Sequence, residues 1–238
     1  MGSSGLWYFA ERRPHDLALA APDGRHWSYG EFWNYCQEIY RQTTVGASRA
    51  VENTSPKPPG VTERVALQVI RSCLSPGHDT SRPGHGDQND AGRRELPTPT
   101  GITGSAITFI SQYGVPIDPN NVHYCAANPD DQTESAWVVA SLHAGHPVVM
   151  GGSWNPYLLL RDIAVYRVTS VLLGHQQIRD LLQLPEGDGV EHGLRSVHYP
   201  ILREPDCPTE LRAQFSSRWN RKLIECATVA GDWLQSDY

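Results

Sequence analysis

VHYCAANPDDQTESAWVVASLHAGHPVVMGGSWNPYLLLRDIAVYRVTSVLLGHQQIRDLLQL, residues 122–184, is the stretch whose reading decides the fold. From Glu134 to Ala144 the residues Trp137, Val138, Ala140, Ser141 and Ala144 recur at helical spacing, and Gly145 supplies a C-terminal stop. Pro147-Val148-Val149-Met150 reads as a short buried strand. Asn155-Pro156 is a cap followed by proline at the first helical position; it opens a helix through Val165 that turns Leu158, Leu159, Ile163 and Tyr166 inward. Val168 to Leu173 is strand-like again. Short apolar runs alternating with helices predict an α/β fold: a reduced, mainly parallel sheet with helices on both faces.

Upstream, Leu6 to Arg12 predicts a short helix ended by Pro14. Leu17 to Ala21 and Arg25 to Trp27 form a hairpin around Pro22-Asp23-Gly24. Ser28 and Glu31 make a capping box for a helix through Arg41 that buries Phe32, Tyr35, Cys36 and Ile39. The aromatics Trp27, Phe32, Trp33 and Tyr40 suit core packing better than a ligand platform. Residues 43–60 read as a connecting loop and Arg64 to Ile70 as a strand. Residues 72–99 are rich in proline and glycine and poor in apolar side chains, so a mobile loop is expected there. Ser105 to Gln112 continues as helix or strand. Leu194 to Tyr199 then reads as a strand, Pro208 to Arg218 as a helix with Leu211 and Phe215 inward, and Lys222 to Cys226 as a strand.

A chain of 238 residues suits one domain with a real core, and residues 1–238 are read as a single domain. Its net charge of -6 argues against a nucleic-acid partner. No apolar run approaches the roughly 18–20 residues that cross a bilayer, and no leader is read, so no membrane partner is expected. Five unevenly spaced cysteines read as reduced thiols and point to the cytoplasm.

The segments VHYCAA, ASLHAGHPVVM, Trp154-Asn155-Pro156, YRVTS and LLQLP, with residues 17–41, resemble the N-terminal domain of AMP-forming acyl-CoA synthetases, nearest their fatty-acyl branch. The resemblance implies a divergent, truncated domain of the adenylate-forming superfamily. It also implies where activity is lost. TPTGITG, residues 98–104, resembles the phosphate loop, but Ser105, Ala106 and Ile107 follow where a lysine belongs. Asp131 stands where the family carries a gating histidine beside its acyl and CoA sites. Pro200 to Asp206 brings large side chains to the place of a glycine- and alanine-rich adenine loop, and CATVAGD, residues 226–232, lacks the threonine–glutamate pair for magnesium and ATP. The sequence is also expected to stop short of the family's ribose-binding region and its C-terminal domain with the catalytic lysine. Adenylation is therefore expected to be lost, with no cofactor and no metal required.

Asp130, Asp131 and Glu134 crowd the start of the central helix. They either cap it or include one carboxyl with a raised pKa that serves as acid or base. His175 and Gln176 follow a predicted parallel strand, where open α/β sheets bind ligands. The catalytic candidates are accordingly Asp131, Asp130, Glu134 and His175, and the substrate-binding candidates His123, Cys125, Trp137 and Gln176. Strand alternation would place His123 and Cys125 on one face and Tyr124 on the other. His143 and His146 form an H-x-x-H pair read as structural, and the histidines and aspartates of residues 78–90 lie where nothing fixes ligand geometry. The expected function is an ATP-independent enzyme acting on a hydrophobic acyl or polyketide-like molecule by cyclisation, isomerisation or dehydration. The alternative is a non-catalytic module that binds an acyl chain or a partner: a second copy, a carrier protein or a full-length synthetase.

Overall fold

The computed structural model describes residues 5–46, 60–74, 100–126, 131–185, 193–204 and 206–225. In chain order these are α1 (Leu6–Arg12), β1 (Leu17–Ala20), β2 (His26–Ser28), α2 (Tyr29–Gly46), α3 (Val61–Leu74), α4 (Thr100–Ser111), β3 (His123–Cys125) and α5 (Gln132–Ala144). There follow β4 (Val148–Met150), α6 (Pro156–Tyr166), β5 (Ser170–Leu173), α7 (His175–Leu182), β6 (Tyr199–Leu202), α8 (Thr209–Trp219) and β7 (Ile224–Glu225).

The strands form one seven-stranded sheet in the order β2-β1-β4-β3-β5-β6-β7, in which only the β1–β2 pair is antiparallel. β3 lies between β4 and β5, and the connections out of β3 and β4 run to opposite faces. Helices α1 to α5 pack together on one face; α6, α7 and α8 pack together on the other. Alternation along each strand feeds both layers: Tyr124, Val149, Val171 and Leu202 join the core under α6–α8, while Cys125, Val148, Met150, Leu172 and Ile201 face α1–α5.

Local chemistry explains the boundaries. Glu31 accepts hydrogen bonds from the N–H and hydroxyl of Ser28, and Ser28 Oγ accepts from the Glu31 N–H, so the capping box holds α2. Asn155 Oδ1 accepts from the N–H groups of Tyr157 and Leu158, with Pro156 opening α6. α5 is buried on every side from Glu134 to Ala144 and ends at Gly145, where φ is +82°. A Cβ added there would stand 2.5 Å from Phe9 Cζ and 2.7 Å from Arg13 Nη2. Gly145→Ala combines left-handed strain with that overlap, and is expected to destabilise by about 2 kcal/mol or more, read as a lower urea midpoint with unchanged slope.

Four expectations are corrected. Residues Arg64–Ile70 are not a strand but lie inside α3, because Val65, Ala66, Val69, Ile70 and Cys73 recur at three- and four-residue spacing and are all buried. The same helix takes in residues 72–74, which are therefore not part of a loop as expected; residues 75–99 lie outside the described residues. The strand expected at 194–199 is β6, displaced to Tyr199–Leu202: Leu194 and Val197 are buried three residues apart in a turn, whereas Pro200-Ile201-Leu202 is buried on both faces. Leu158 is 41% exposed rather than inward, since the phase set by Leu159 and Ile163 brings Leu160 to the core instead. Among the described residues no helix is long and apolar enough to cross a membrane.

Candidate functional site

The carboxyl ends of the parallel strands, and the N-termini of α5, α6, α7 and α8 that follow them, meet at one edge of the sheet. Open α/β sheets place ligands in the crevice where successive connections leave to opposite faces, here beside β3. A cleft of about 540 Å³ opens at that edge, lined in part by Pro22, Arg64, Ala126, Trp154, Gln177 and Arg203. Gly151 and Gly152 form its floor after β4. A Cβ on Gly151 would come within 2.6 Å of the Tyr124 hydroxyl, so glycine is what lets the loop cross over that ring.

Gln177 fixes the far wall. Its Oε1 accepts from the Gly174 N–H at 2.8 Å, and its Nε2 donates to the Ala126 carbonyl at 3.0 Å, tying α7 to the end of β3. Asp180 on the same helix accepts from Trp154 Nε1 at 2.7 Å and from Gln176 Nε2 at 2.7 Å.

The charged groups converge on Arg203, the first residue after β6. Its Nε donates to Glu204 Oε1 at 2.9 Å. Burial works against the Arg203 charge, but the Glu204 hydrogen bond and the charges of Glu204, Asp131 and Glu134 outweigh it and raise its pKa. Glu204 also accepts from the His175 N–H at 3.0 Å, and His175 Nε2 stands 3.9 Å from Glu204 Oε2 and 3.9 Å from Asp206 Oδ1. Arg203 and Glu204 therefore bridge two of the predicted positions, the start of α5 and the start of α7. Neither was singled out from sequence as a site residue. The available signal was a pair of opposite charges directly after a fully apolar strand.

Asp131 is the N-cap of α5: its Oδ1 accepts from the Thr133 and Glu134 N–H groups, each at 3.0 Å. Asp130 lies outside the described residues. Glu134 is wholly buried, its carboxyl oxygens paired with no nitrogen or oxygen and the Cys125 thiol their hydrogen-bonding neighbour. Burial pushes its pKa up to about 8; the Cys125 thiol and Arg203 oppose that rise, and Asp131 adds to it. A carboxyl in this state is protonated at neutral pH and able to donate.

The remaining candidates lie deeper. His123 and Trp137 stack in the interior between β3 and α5, with ring centroids 5.5 Å apart and planes 20° apart, and His123 Nδ1 pairs with Ser170 Oγ at 3.1 Å. Burial, then the neighbouring His146, lowers the His123 pKa to about 3. Cys125 faces α5 beside Glu134, and Gln176 lies on the exposed side of α7. His143 accepts from the Leu6 N–H through Nδ1 at 3.2 Å and pairs with Ser72 through Nε2 at 3.4 Å, joining α1, α3 and α5. Among the described residues no group of His, Cys, Asp and Glu is arranged to hold a metal ion.

No family model matches this chain. No curated protein matches it either. Solved structures do. The AMP complex of o-succinylbenzoate CoA synthetase (MenE) from Bacillus subtilis superposes over 93% of this chain and 58% of its own, with a TM-score of 0.64 and 13% identity. The amide bond synthetase McbA from Marinactinospora thermotolerans superposes over 95% of this chain and 59% of its own, with a TM-score of 0.59 and 14% identity. The N-terminal subdomain of Klebsiella oxytoca NpsA matches over 97% of this chain and 74% of its own, with a TM-score of 0.61 and 13% identity. The fold is that of the acyl-CoA synthetase N-terminal domain. The chain spans 57–58% of the MenE chains it matches.

MenE has been captured with ATP and magnesium, with AMP and with an acyl-adenylate. A Cβ added at Gly174 would stand 2.5 Å from Arg203 Nη2 and 3.0 Å from Glu204 Oε1, so these two side chains already lie against the backbone after β5. Of the loop resembling the phosphate loop, residues 100–104 are drawn into the first turns of α4, while residues 98 and 99, like 226–232, lie outside the described residues.

Proposed function

We propose that this chain is an ATP-independent enzyme that acts on a hydrophobic acyl or polyketide-like molecule by acid–base chemistry. The observation that carries this reading is Glu134: a wholly buried carboxyl at the start of α5, raised to about 8 by burial although the Cys125 thiol and Arg203 oppose that rise, with Arg203 lining the cleft at the edge of the sheet where the parallel strands end. In a dehydration, protonated Glu134 gives its proton to the departing hydroxyl, which leaves as water, while His175, flanked by Glu204 and Asp206, accepts the proton from the adjacent carbon. The carbon–oxygen and carbon–hydrogen bonds break as the double bond forms. Arg203 holds the acyl oxygen, and Trp154 with the glycine floor receives the apolar chain.

The test is a panel of acyl chains, acyl-CoAs and β-hydroxyacyl thioesters incubated with the protein with and without Mg-ATP, followed by mass spectrometry. Turnover without ATP is expected, falling about 10²–10⁴-fold in Glu134→Gln, as for loss of a general acid. Turnover that requires ATP would overturn the reading, as would normal turnover in both Asp131→Asn and His175→Ala.

One observation favours a second reading, a non-catalytic module that binds an acyl chain or a partner. Glu134 has no exposed surface and is not among the residues that line the cleft. A lipophile retained unchanged over hours, in wild type and Glu134→Gln alike, would select this alternative.

A further inference from the structure

The cleft does not close at Pro22 and Val61. Both residues also border a second cavity of about 460 Å³, between the β1–β2 hairpin and the first turn of α3. Its walls differ in kind from those of the cleft. Trp27 and Tyr35 bring two rings with centroids 4.9 Å apart, splayed by 35°. The Trp27 Nε1–H is buried without a partner, so the part of the indole that reaches the cavity is ring carbon.

The charges there are unevenly committed. Arg25 pairs with Asp23 at 2.8 Å, and its guanidinium stands 5.9 Å from the Trp27 ring centre. Glu63, in the first turn of α3, is the carboxylate that remains, and it lies within the field of the Tyr35 hydroxyl, whose pKa is raised by burial first and Glu63 second. Aromatic faces beside an acceptor-only carboxylate suit a flat ring with a donor on it. Since Arg25 already supplies the cation over Trp27, a neutral donor fits better than a second positive charge.

We propose that this cavity is a binding subsite for a phenolic ring, its hydroxyl donating to Glu63, carried on the molecule whose acyl part occupies the cleft. The subsite stands on its own walls; only the placement of the acyl part rests on the function proposed above. A ligand crossing Pro22 and Val61 would be an acyl compound with a hydroxyaryl end.

The experiment is an NMR titration of ¹⁵N-labelled protein, following the Trp27 indole N–H resonance. Trp27→Phe identifies that resonance, and through-bond assignment of the wild type does so if the variant fails to fold. The probes are 4-ethylphenol, ethylbenzene, and ω-(4-hydroxyphenyl)alkanoic acids of increasing length. Saturable movement of the Trp27 resonance is expected with 4-ethylphenol, at about tenfold lower concentration than with ethylbenzene, and Glu63→Gln should erase that preference. A resonance that no phenol moves, or one that answers phenol and phenyl equally, would overturn the subsite. Chain length then examines the cleft separately. Affinity that rises with an added carboxylate chain, and falls again in Arg203→Gln, joins the two cavities; short phenols that bind with no gain from the chain keep the subsite and remove the cleft reading.

Discussion

Glu134→Gln is expected to yield a more stable protein at neutral and alkaline pH even as it removes the proposed acid. The folded state holds the Glu134 proton up to a pKa of about 8, whereas an ordinary glutamate releases it near 4.5. Between those values the unfolded chain binds fewer protons at this site, so stability present below pH 4.5 is lost as pH rises, by about 1.4 kcal/mol per unit. The loss is roughly 3 kcal/mol at pH 7 and levels off at roughly 5 kcal/mol above pH 8. An amide of the same shape does not titrate and escapes it.

The buried histidines carry the opposite sign. Burial lowers His123 to about 3 and His146 to about 4, so each is neutral in the folded protein, and its contribution is intact above pH 6.5 and lost as pH falls below it. The three groups together place the wild-type optimum near pH 6.5, with stability declining on both sides. Glu134→Gln should flatten the alkaline side and double the slope between pH 4.5 and 6.5, from about 1.4 to about 2.7 kcal/mol per unit, because the histidines then act uncompensated. Urea denaturation at half-unit steps from pH 4.5 to 8.5 reads both changes, and parallel curves for the two proteins would refute the assignment.

Trp137→Ala is expected to bring the largest loss of stability. The indole is 1% exposed and lies among Phe109, Tyr113 and His123, with ring centroids at 5.0, 5.2 and 5.5 Å. It belongs to the apolar cluster that joins α4 to α5 and stacks on His123 of β3. Truncation leaves a cavity that the rings around it cannot collapse to fill, at a cost of about 3–5 kcal/mol. Its Nε1–H has no partner, so Trp137→Phe forfeits no hydrogen bond and should cost about 1–2 kcal/mol. Equal losses in the two variants would mean that the missing N–H bond, not ring volume, sets the cost.

The parts of the fold legible from sequence were those fixed by short-range chemistry. Ser28 with Glu31, Asn155 with Pro156, and Gly145 each announce a helix end through groups within four residues, and all three act as read. The misreadings came where an apolar run was short. Val65–Ala66 and Val69–Ile70 satisfy a strand as two doublets, and only the recurrence at Cys73 makes the helical period plain. Leu194 and Val197 mimic a strand because both are buried, yet their spacing is three.

The site was legible by position more than by chemistry. The expectation that His175 and Gln176 would border a ligand cleft rests on where parallel strands end; the residue after β5 that lines the cleft is their neighbour Gln177. What sequence could not supply was the long-range pairing that sets each charge's state. Asp131 and Glu134 look alike three residues apart, but one caps a helix and the other is sealed inside it. Arg203 meets both only because β6 runs beside β5 and delivers its next residue over Gly174.

The place of β4 bears on how this protein is made. β4 lies between β1 and β3, two strands synthesised well before it, and β3 gains its other neighbour only with β5. During translation the hairpin and β3 thus leave the ribosome as separate pieces with open edges, and no sheet can join them until Val148–Met150 has emerged. That interval is when the nascent chain is most open to chaperones and to mispairing with another copy. Slowing the ribosome while Val148–Met150 has yet to emerge would prolong the hazard.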